Sequence, residues 1–294
     1  MALGSDAIVA TGTDEGAQRR IAAYYDTTQV LYSHLWSRTG VHYGLWDNGT
    51  RCQADAIRNM DGFVASRLGL ARGRRVLDAG CGVGGTSLYL ADEHGLEVVG
   101  ITLSEDQLRR ARRLTATSRA AVPPIFRRGD YLCTSYPDEF FDGVVAIESV
   151  CYAEEKRRFL AEAFRILSPG GRLVVADGFA AAPITARARA QYRRLLDGMA
   201  LTDLNSVKEF DAGLRATGFV DVRCDDKTTS VQPSSRRILA LSVIGVAICS
   251  LPCRLGLLPA SWLAHGWAGI AQRPLFRDGT LAYCVFSASK PTTR

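Results

Sequence analysis

A carboxylate followed by a dense run of glycines is the part of this sequence best suited to chemistry. Residues 76–90 read VLDAGCGVGGTSLYL. Two aliphatic residues end at Asp78; Gly80, Gly82, Gly84 and Gly85 follow, and Thr86 opens an apolar-periodic segment. Strand, tight turn and helix N-terminus in that order make a seat for a nucleotide-bearing cofactor. The glycines lack Cβ atoms, so backbone N–H groups can approach a ligand.

Two cofactor classes compete for that seat. Gly80-Cys81-Gly82-Val83-Gly84-Gly85 satisfies the dinucleotide pattern G-x-G-x-x-G. A dinucleotide reader also wants an acid at the end of the next strand, for a ribose hydroxyl. Here that strand, residues 96–101, runs into Thr102-Leu103-Ser104. A carboxylate at Asp78 suits a cofactor with cationic groups better than one with phosphates. S-adenosylmethionine carries an ammonium and a sulfonium and no phosphate, so the residues favour it over NAD. The remaining alternative is a glycine turn that binds nothing.

The elements that must position these groups alternate. Strands are expected to end at Asp78 and near Ile101, with a short one at 124–126 before Gly129-Asp130-Tyr131. Another covers 143–147 and runs into Glu148, and a fifth covers 172–176 after the turn Ser168-Pro169-Gly170-Gly171. Helices fall between them; Ser104 caps one, with Glu105 and Asp106 in its first turn. This alternation implies an α/β fold with a parallel sheet covered on both faces. Ligands in such sheets sit beyond the strands' carboxyl ends, which here carry Asp78, Thr102, Asp130 and Glu148. Ahead of the first strand, residues 19–70 read as an N-terminal helical cap that contains Tyr24, Tyr25, Tyr32, Trp36, His42, Tyr43 and Trp46. Residues 1–18 read as a flexible tail, and 71–294 as the core. Helices at 186–200 and 207–217, a strand at 219–224, a helical insert at 230–277 and a last strand at 281–287 complete the core.

Composition bounds the rest. The 294 residues are 47% hydrophobic, enough for a sizeable core, with formal net charge +6. Only four lysines occur, and the paired arginines read as solvated helix faces. No basic block interleaved with aromatics argues for nucleic acid. The eight cysteines form no C-x-x-C pair and no zinc spacing with histidine, so no metal site is expected. With no secretory pattern at the start, they are expected to be reduced thiols of a cytoplasmic protein. The run 238–251 is uncharged but shorter than a membrane span, and Pro252 is expected to stop it.

Together DAGCGVGG, GITLSEDQ, RRGDY and LSPGG resemble the class I S-adenosylmethionine-dependent methyltransferases over residues 20–225. GITLS-x-x-Q with an upstream YYD segment is similar to the branch that holds the γ-tocopherol and sterol C-methyltransferases. Related alkaloid N-methyltransferases belong there too and, more distantly, the cyclopropane fatty-acid synthases. The resemblance implies a Rossmann-like, doubly wound, mostly parallel seven-stranded sheet with an N-terminal helical cap and a C-terminal helical insert roofing a lipophilic substrate. It implies that Asp78, Gly80, Cys81 and Gly82 hold the methionine end of the cofactor. Thr102, Leu103 and Gln107 would meet the ribose, and Asp130 and Tyr131 the adenine. Glu148 would sit near the methionyl amine or the reacting centre, and Tyr25 and Tyr43 would approach the sulfonium. Most class I enzymes place an acid where Thr102 stands, whereas threonine is usual in this branch. A histidine often found after the fourth strand is missing; Cys151 and Tyr152 stand there.

Several of these residues have plainer readings. Ser104-x-x-Gln107 is also a capping box, in which Gln107 would return to its own helix N-terminus. His42 is either a packed histidine or a base for an oxygen or nitrogen acceptor. Tyr25, Tyr43, Trp46 and Glu148 could instead stabilise positive charge on an alkene acceptor. Trp262 and Trp267 in the insert, with Trp36 and Trp46 in the cap, suggest an aromatic-lined pocket for a large apolar molecule, or ordinary packing. The expected reaction is methylation, at carbon by preference, of a lipophilic small molecule of natural-product type: an isoprenoid, a sterol-like compound or a polyketide. O- or N-methylation of a specialised metabolite, or a methyltransferase-fold cyclase that transfers no methyl, are the alternatives. Peripheral contact with a membrane is an open reading, and the oligomeric state is not legible.

Overall fold

The computed structural model describes residues 15–37 and 39–292. Helix α1 (Glu15–Leu35) and helix α2 (Gln53–Leu68) precede the first strand. Helix α1 starts four residues before the expected cap; residues 1–14, most of the expected tail, lie outside the described residues, as does the side chain of Tyr32.

The core alternates as its apolar runs require. In order come β1 (Arg75–Ala79), α3 (Gly85–His94), β2 (Glu97–Thr102), α4 (Glu105–Thr115), β3 (Ile125–Arg128) and β4 (Phe141–Ile147). They are followed by α5 (Lys156–Ile166), β5 (Leu167–Ala180), α6 (Arg189–Gly198), α7 (Val207–Thr217) and β6 (Val220–Asp226). The chain then forms α8 (Thr228–Arg254), α9 (Ala260–Arg277) and β7 (Leu281–Ser289). The seven strands form one sheet in the order β3-β2-β1-β4-β5-β7-β6. Strands β1 to β5 pair in parallel, and β7 lies antiparallel between β5 and β6.

Period-two alternation distributes the strand side chains to two cores. Val76, Val98, Val145 and Val174 face α2, α3, α6 and α9. Their neighbours Leu77, Val99, Val144 and Val175 face α5 and α7. Both faces are therefore dry, which is why these strands read as near-continuous apolar runs.

Strand β5 is longer than the expected 172–176. Leu167 already pairs with Phe141, and the next pair is Gly143 with Arg172. Residues 168–171 thus form a bulge rather than a turn outside the strand, with Gly170 at φ +78°. Helix α8 also differs from expectation. It runs through Pro252 to Arg254 as 27 residues, and by length and composition it could cross a membrane. A proline this near the C-terminus removes one N–H and leaves the following turn intact: Leu255 N donates to Leu251 O and Leu257 N to Pro252 O. Helix α9 packs against α8 through glycines. A Cβ on Gly269 would fall 2.1 Å from Ser242 Oγ, and one on Gly266 2.7 Å from Val246 Cγ2. The hairpin of α8 and α9 is anchored by Ser234 Oγ, which accepts from Gly44 N and Trp46 Nε1.

The register brings the functional rim together. Asp78 pairs with Gly100 on one side and Val145 on the other, and Ile147 pairs with Ala176. Because β1 and β4 are neighbours, the strand order reverses there, and a crevice opens at their carboxyl ends.

Candidate active site

A cavity of about 1380 Å3, part of it open to solvent, occupies that crevice. Its floor is the turn between β1 and α3. Gly80 N and Cys81 N both donate to Ile101 O, at 3.0 and 2.9 Å, and Gly84 N donates to Cys81 O. The first two N–H groups hold the turn to the sheet and the third closes the turn on itself, so all three are spent within the protein. The two central glycines serve different ends. Gly80, at φ +86°, has no room for a side chain: a Cβ would sit 2.4 Å from that of Ser149. Gly82, at φ +54°, would point a Cβ toward open space, with Val41 and Gln107 the nearest groups at 3.8 and 3.9 Å. Gly82 is where backbone lies open to a ligand.

Asp78 closes one end of the floor. It is 2% exposed, accepts from Ser87 Oγ at 2.6 Å, and is lifted to about 7, chiefly by burial. Across the cavity, Thr102 Oγ1 donates to Gln107 Oε1 at 2.9 Å, while Ser104 Oγ caps α4 by accepting from Gln107 N. Only half of a capping box forms. Ser104 N is taken by Thr102 Oγ1, at 3.3 Å, and the Gln107 side chain turns toward Gly82. By contrast, Ser206 and Glu209 complete a full box at α7. Leu103 and Cys81 line the same cavity. Tyr131 lines it too, its hydroxyl donating to Ser149 O at 2.7 Å and its ring meeting Phe159 edge-on. Asp130 does not line it. Its carboxylate accepts from Gln18 Nε2 of α1 and from Leu132 N, both at 2.8 Å, so α1 bonds one oxygen of the acid expected at the adenine.

Glu148 stands at the junction with a second cavity. With φ +49° it sits in the left-handed region, which turns its side chain off the end of β4. Its Oε1 accepts from Tyr43 N at 2.6 Å and from Tyr283 Oη at 2.9 Å. Burial raises it to about 7, against the lowering pull of His42 and these two donors. Tyr43 donates its hydroxyl to Gln272 Oε1, and its ring packs edge-on against Phe276 and Tyr283. Tyr25 lines the first cavity, packed against Tyr24 and Tyr152.

His42 does not suit the role of a base. Its Nδ1 lies 2.9 Å from Tyr43 O, and its Nε2 lies 3.5 Å from Asp61 Oδ1, an ion-pair distance rather than a close hydrogen bond. Burial alone would lower its pKa; the Asp61 carboxylate, then Glu148 and the Tyr43 carbonyl, reverse this and raise it to about 9. A pKa raised that far favours the protonated ring at neutral pH, in which neither nitrogen has a lone pair to offer.

The second cavity, about 880 Å3 and also part open, lies between α8, α9, Trp36 and Val41-His42-Tyr43. Val41, His42, Tyr43, Glu148, Met199 and Gln272 line both cavities, so the two are adjacent and share these side chains as a common wall. Its far wall is Trp36, Ile238, Leu241, Gly245, Trp262 and His265. Trp262 Nε1 donates to Thr27 O at 3.0 Å, and His265 Nδ1 meets Tyr24 Oη at 2.9 Å, tying the roof to α1. Trp267 is outside: it is 41% exposed, under the Arg194 guanidinium. Trp46 is held by Ser234 and lines neither cavity. Only Trp36 and Trp262 of the four tryptophans therefore match an aromatic-lined pocket.

Sequence reasoning missed Asp177, Tyr283, Gln272 and Asp61. Asp177 directly follows the expected strand end at 176. The strand-end rule that singled out Asp78 and Glu148 applies to it equally. It is 3% exposed in the first cavity's wall, accepts from Cys151 N and Gly178 N, and is lifted to about 6 by burial. Asp61 accepts from Thr86 Oγ1 at 2.8 Å as well as facing His42. No local pattern marks the other three.

These features fit S-adenosylmethionine. The cavity has three buried carboxylates, Asp78, Glu148 and Asp177, whose raised pKa values a cationic ligand would lower. It also has an open glycine face at Gly82.

Comparison with known proteins agrees with this geometry. A family model described as a methyltransferase domain matches residues 77–175. The chain is 31% identical over 211 residues to the 27-O-demethylrifamycin SV methyltransferase of Amycolatopsis mediterranei (strain S699), covering 71% of this chain and 77% of that protein. It is 37% identical over 209 residues to the 2-methyl-6-phytyl-1,4-hydroquinone methyltransferase of Synechocystis sp. (strain ATCC 27184 / PCC 6803 / Kazusa), covering 69% and 61%. In fold it resembles a mycolic acid cyclopropane synthase solved with SAH and CTAB, at a TM-score of 0.80 and 18% identity over 93% of this chain and 98% of that one.

Proposed function

Because this chain belongs to the class I S-adenosylmethionine-dependent methyltransferases, we propose that the second cavity holds its acceptor, a lipophilic small molecule of isoprenoid, sterol-like or polyketide type. The observation that carries this reading is the adjacency of the two cavities, which share Glu148 and Tyr43 as lining. One is polar and glycine-floored, and the other is walled mainly by Trp36, Ile238, Leu241 and Trp262. An acceptor with its own charge would need a buried counter-charge. Beyond the shared His42 and Glu148, the described residues that line the second cavity include no acid, lysine or arginine. The phytyl-hydroquinone and rifamycin substrates named for the two relatives are of this lipophilic kind.

Bound S-adenosylmethionine supplies an already activated methyl group, so the protein's work is positioning, exclusion of water and handling of charge and protons. Asp78, Gly80, Cys81 and Gly82 would hold the methionine portion. Thr102, Leu103 and Gln107 would take the ribose, and Tyr131 the adenine ring. Asp130, bonded by Gln18 through one carboxylate oxygen and by Leu132 N through the other, keeps lone pairs with which it would accept from the adenine amino group. Tyr25 closes the cavity from α1.

Glu148 is the proton acceptor in this scheme. When an acceptor carbon uses its π electrons to take the methyl group, positive charge develops on the neighbouring carbons of that π system and a proton must leave. The Glu148 carboxylate, backed by the rings of Tyr43 and Tyr283, stabilises the charge and takes the proton. His42 stays protonated and keeps part of Glu148 ionised near neutrality. Carbon methylation is accordingly favoured. Methylation of a phenolic oxygen is the second reading, since the same carboxylate could remove a hydroxyl proton.

Incubation with methyl-labelled cofactor and a panel of prenylated hydroquinones, sterols and polyketides tests the proposal. One label should appear on a lipophilic product, at carbon by NMR. Label accepted only by polar amines or protein side chains, or an unlabelled cyclised product, would overturn it.

A further inference from the structure

The outer face of α8 is not used by the fold. Val243, Ile244, Ile248, Leu251, Leu255 and Leu257 are each between 50% and 74% exposed. Ile244, Ile248, Leu251 and Leu255 follow helical four-, three- and four-residue spacing, so they form one stripe about 17 Å long, with Val243 beside its start. Monomeric proteins rarely expose so continuous an apolar surface without a partner for it.

The charge around the stripe says what the partner is. From residue 228 to 277 the chain contains no aspartate or glutamate and five arginines: Arg236, Arg237, Arg254, Arg273 and Arg277. Arg236 and Arg237 are exposed at the start of the stripe and Arg254 at its end. Neither Arg236 nor Arg254 lies within salt-bridge distance of a carboxylate among the described residues. An apolar band flanked by arginine and free of acid matches a bilayer surface with anionic headgroups. Although α8 is long and apolar enough to span a membrane, its inner face is committed: α9 packs along it, and Ser234 anchors its first turns to Gly44 and Trp46. It can lie on a membrane without leaving the fold.

We propose that the outer face of α8 and the turn after it dock this protein onto an anionic lipid bilayer, with the apolar stripe among the acyl chains and the arginines at the headgroups. The opposite face of the same helix, through Ile238, Leu241 and Gly245, is a wall of the second cavity. Docking therefore places that cavity about one helix diameter from the lipid. The benefit to a lipophilic acceptor rests on the reading above; the docking itself does not.

The test is vesicle flotation of the full chain without acceptor. Wild-type protein should float with mixed phosphatidylcholine–phosphatidylglycerol vesicles and much less with phosphatidylcholine alone. I248E/L251E should lower partitioning by at least about tenfold, because each residue would otherwise bury a large aliphatic side chain. R236E/R254E should lower it roughly fivefold or more per arginine, and added salt should do the same to the wild type. Unchanged S-adenosylhomocysteine affinity shows that each variant is folded, and the salt titration needs no variant. Wild-type protein that stays in the aqueous layer overturns the proposal. So does a lipid-free dimer, seen by sedimentation, that I248E/L251E converts to monomer, because the face would then belong to a second copy of this chain. Failure to methylate any lipophilic acceptor, with flotation intact, would count against the proposed reaction and not against docking.

Discussion

Replacing Glu148 by glutamine should cost activity and gain stability, and the structure sets the size of both. Glu148 is raised from 4.5 to about 7, with burial the largest cause and His42, Tyr43 N and Tyr283 Oη already counted against it. As pH rises, the unfolded chain ionises near 4.5 while the folded one resists until about 7. Stability that is fully present below pH 4.5 is therefore lost up to about pH 7 and stays lost above it. A shift of that size corresponds to about 3 kcal/mol. Glutamine never ionises, and its amide oxygen can still accept from Tyr43 N and Tyr283 Oη. Glu148→Gln should thus unfold several degrees higher than wild type at pH 8, on the order of 5 °C for a chain of this size. The two proteins should converge as pH falls toward 4.5. Turnover should fall about 10²- to 10⁴-fold, the usual worth of a positioned acid–base group. In the wild type, kcat/KM should climb through pH 7. Scanning calorimetry across pH, paired with a labelled-methyl assay, reads all of this. A variant that is less stable at pH 8, or equally shifted at pH 4 and pH 8, would refute the burial argument. Full activity in the variant would refute the assigned role.

Three further outcomes follow from the same geometry. His42→Asn should lose about 2–3 kcal/mol at pH 6 and much less above pH 9, since a pKa raised from 6.5 to about 9 gives stability that is lost as pH rises through 9; denaturant unfolding at the two pH values checks it. Gly80→Ala should mainly lower Tm, because its Cβ meets Ser149, whereas Gly82→Ala should lower Tm less, through its φ of +54° alone, and weaken S-adenosylhomocysteine by about tenfold, because its Cβ lies beside the cavity-lining Val41 and Gln107; calorimetry and thermal melts separate the two. Trp262→Ala should cut turnover while leaving cofactor affinity intact, and Trp267→Ala, outside both cavities, should do neither; steady-state kinetics with one lipophilic acceptor decides between them.

The sequence alone carried what short-range rules govern. Apolar runs ending at Asp78, Ile101 and Glu148, with helices between, determined the parallel sheet, because strands buried on both faces must be apolar throughout. Glycine spacing after Asp78 located the cofactor turn, since positive φ and close approach leave few other residues able to serve. Tertiary structure decided the rest, because it depends on groups far apart in the chain. Gly80 needs no side chain because Ser149, from another loop, sits against it. Asp130 accepts from Gln18, more than a hundred residues earlier, which no local pattern could show. His42 reads equally well as a base or as packing until the fold sets Asp61 and Glu148 around it and makes it a cation. Trp262 and Trp267 are five residues apart on one helix, yet one faces the cavity and the other the solvent. Which face of a helix is inside is fixed by what packs against it, and here that is α1, α6 and α8, brought together only by the folded chain.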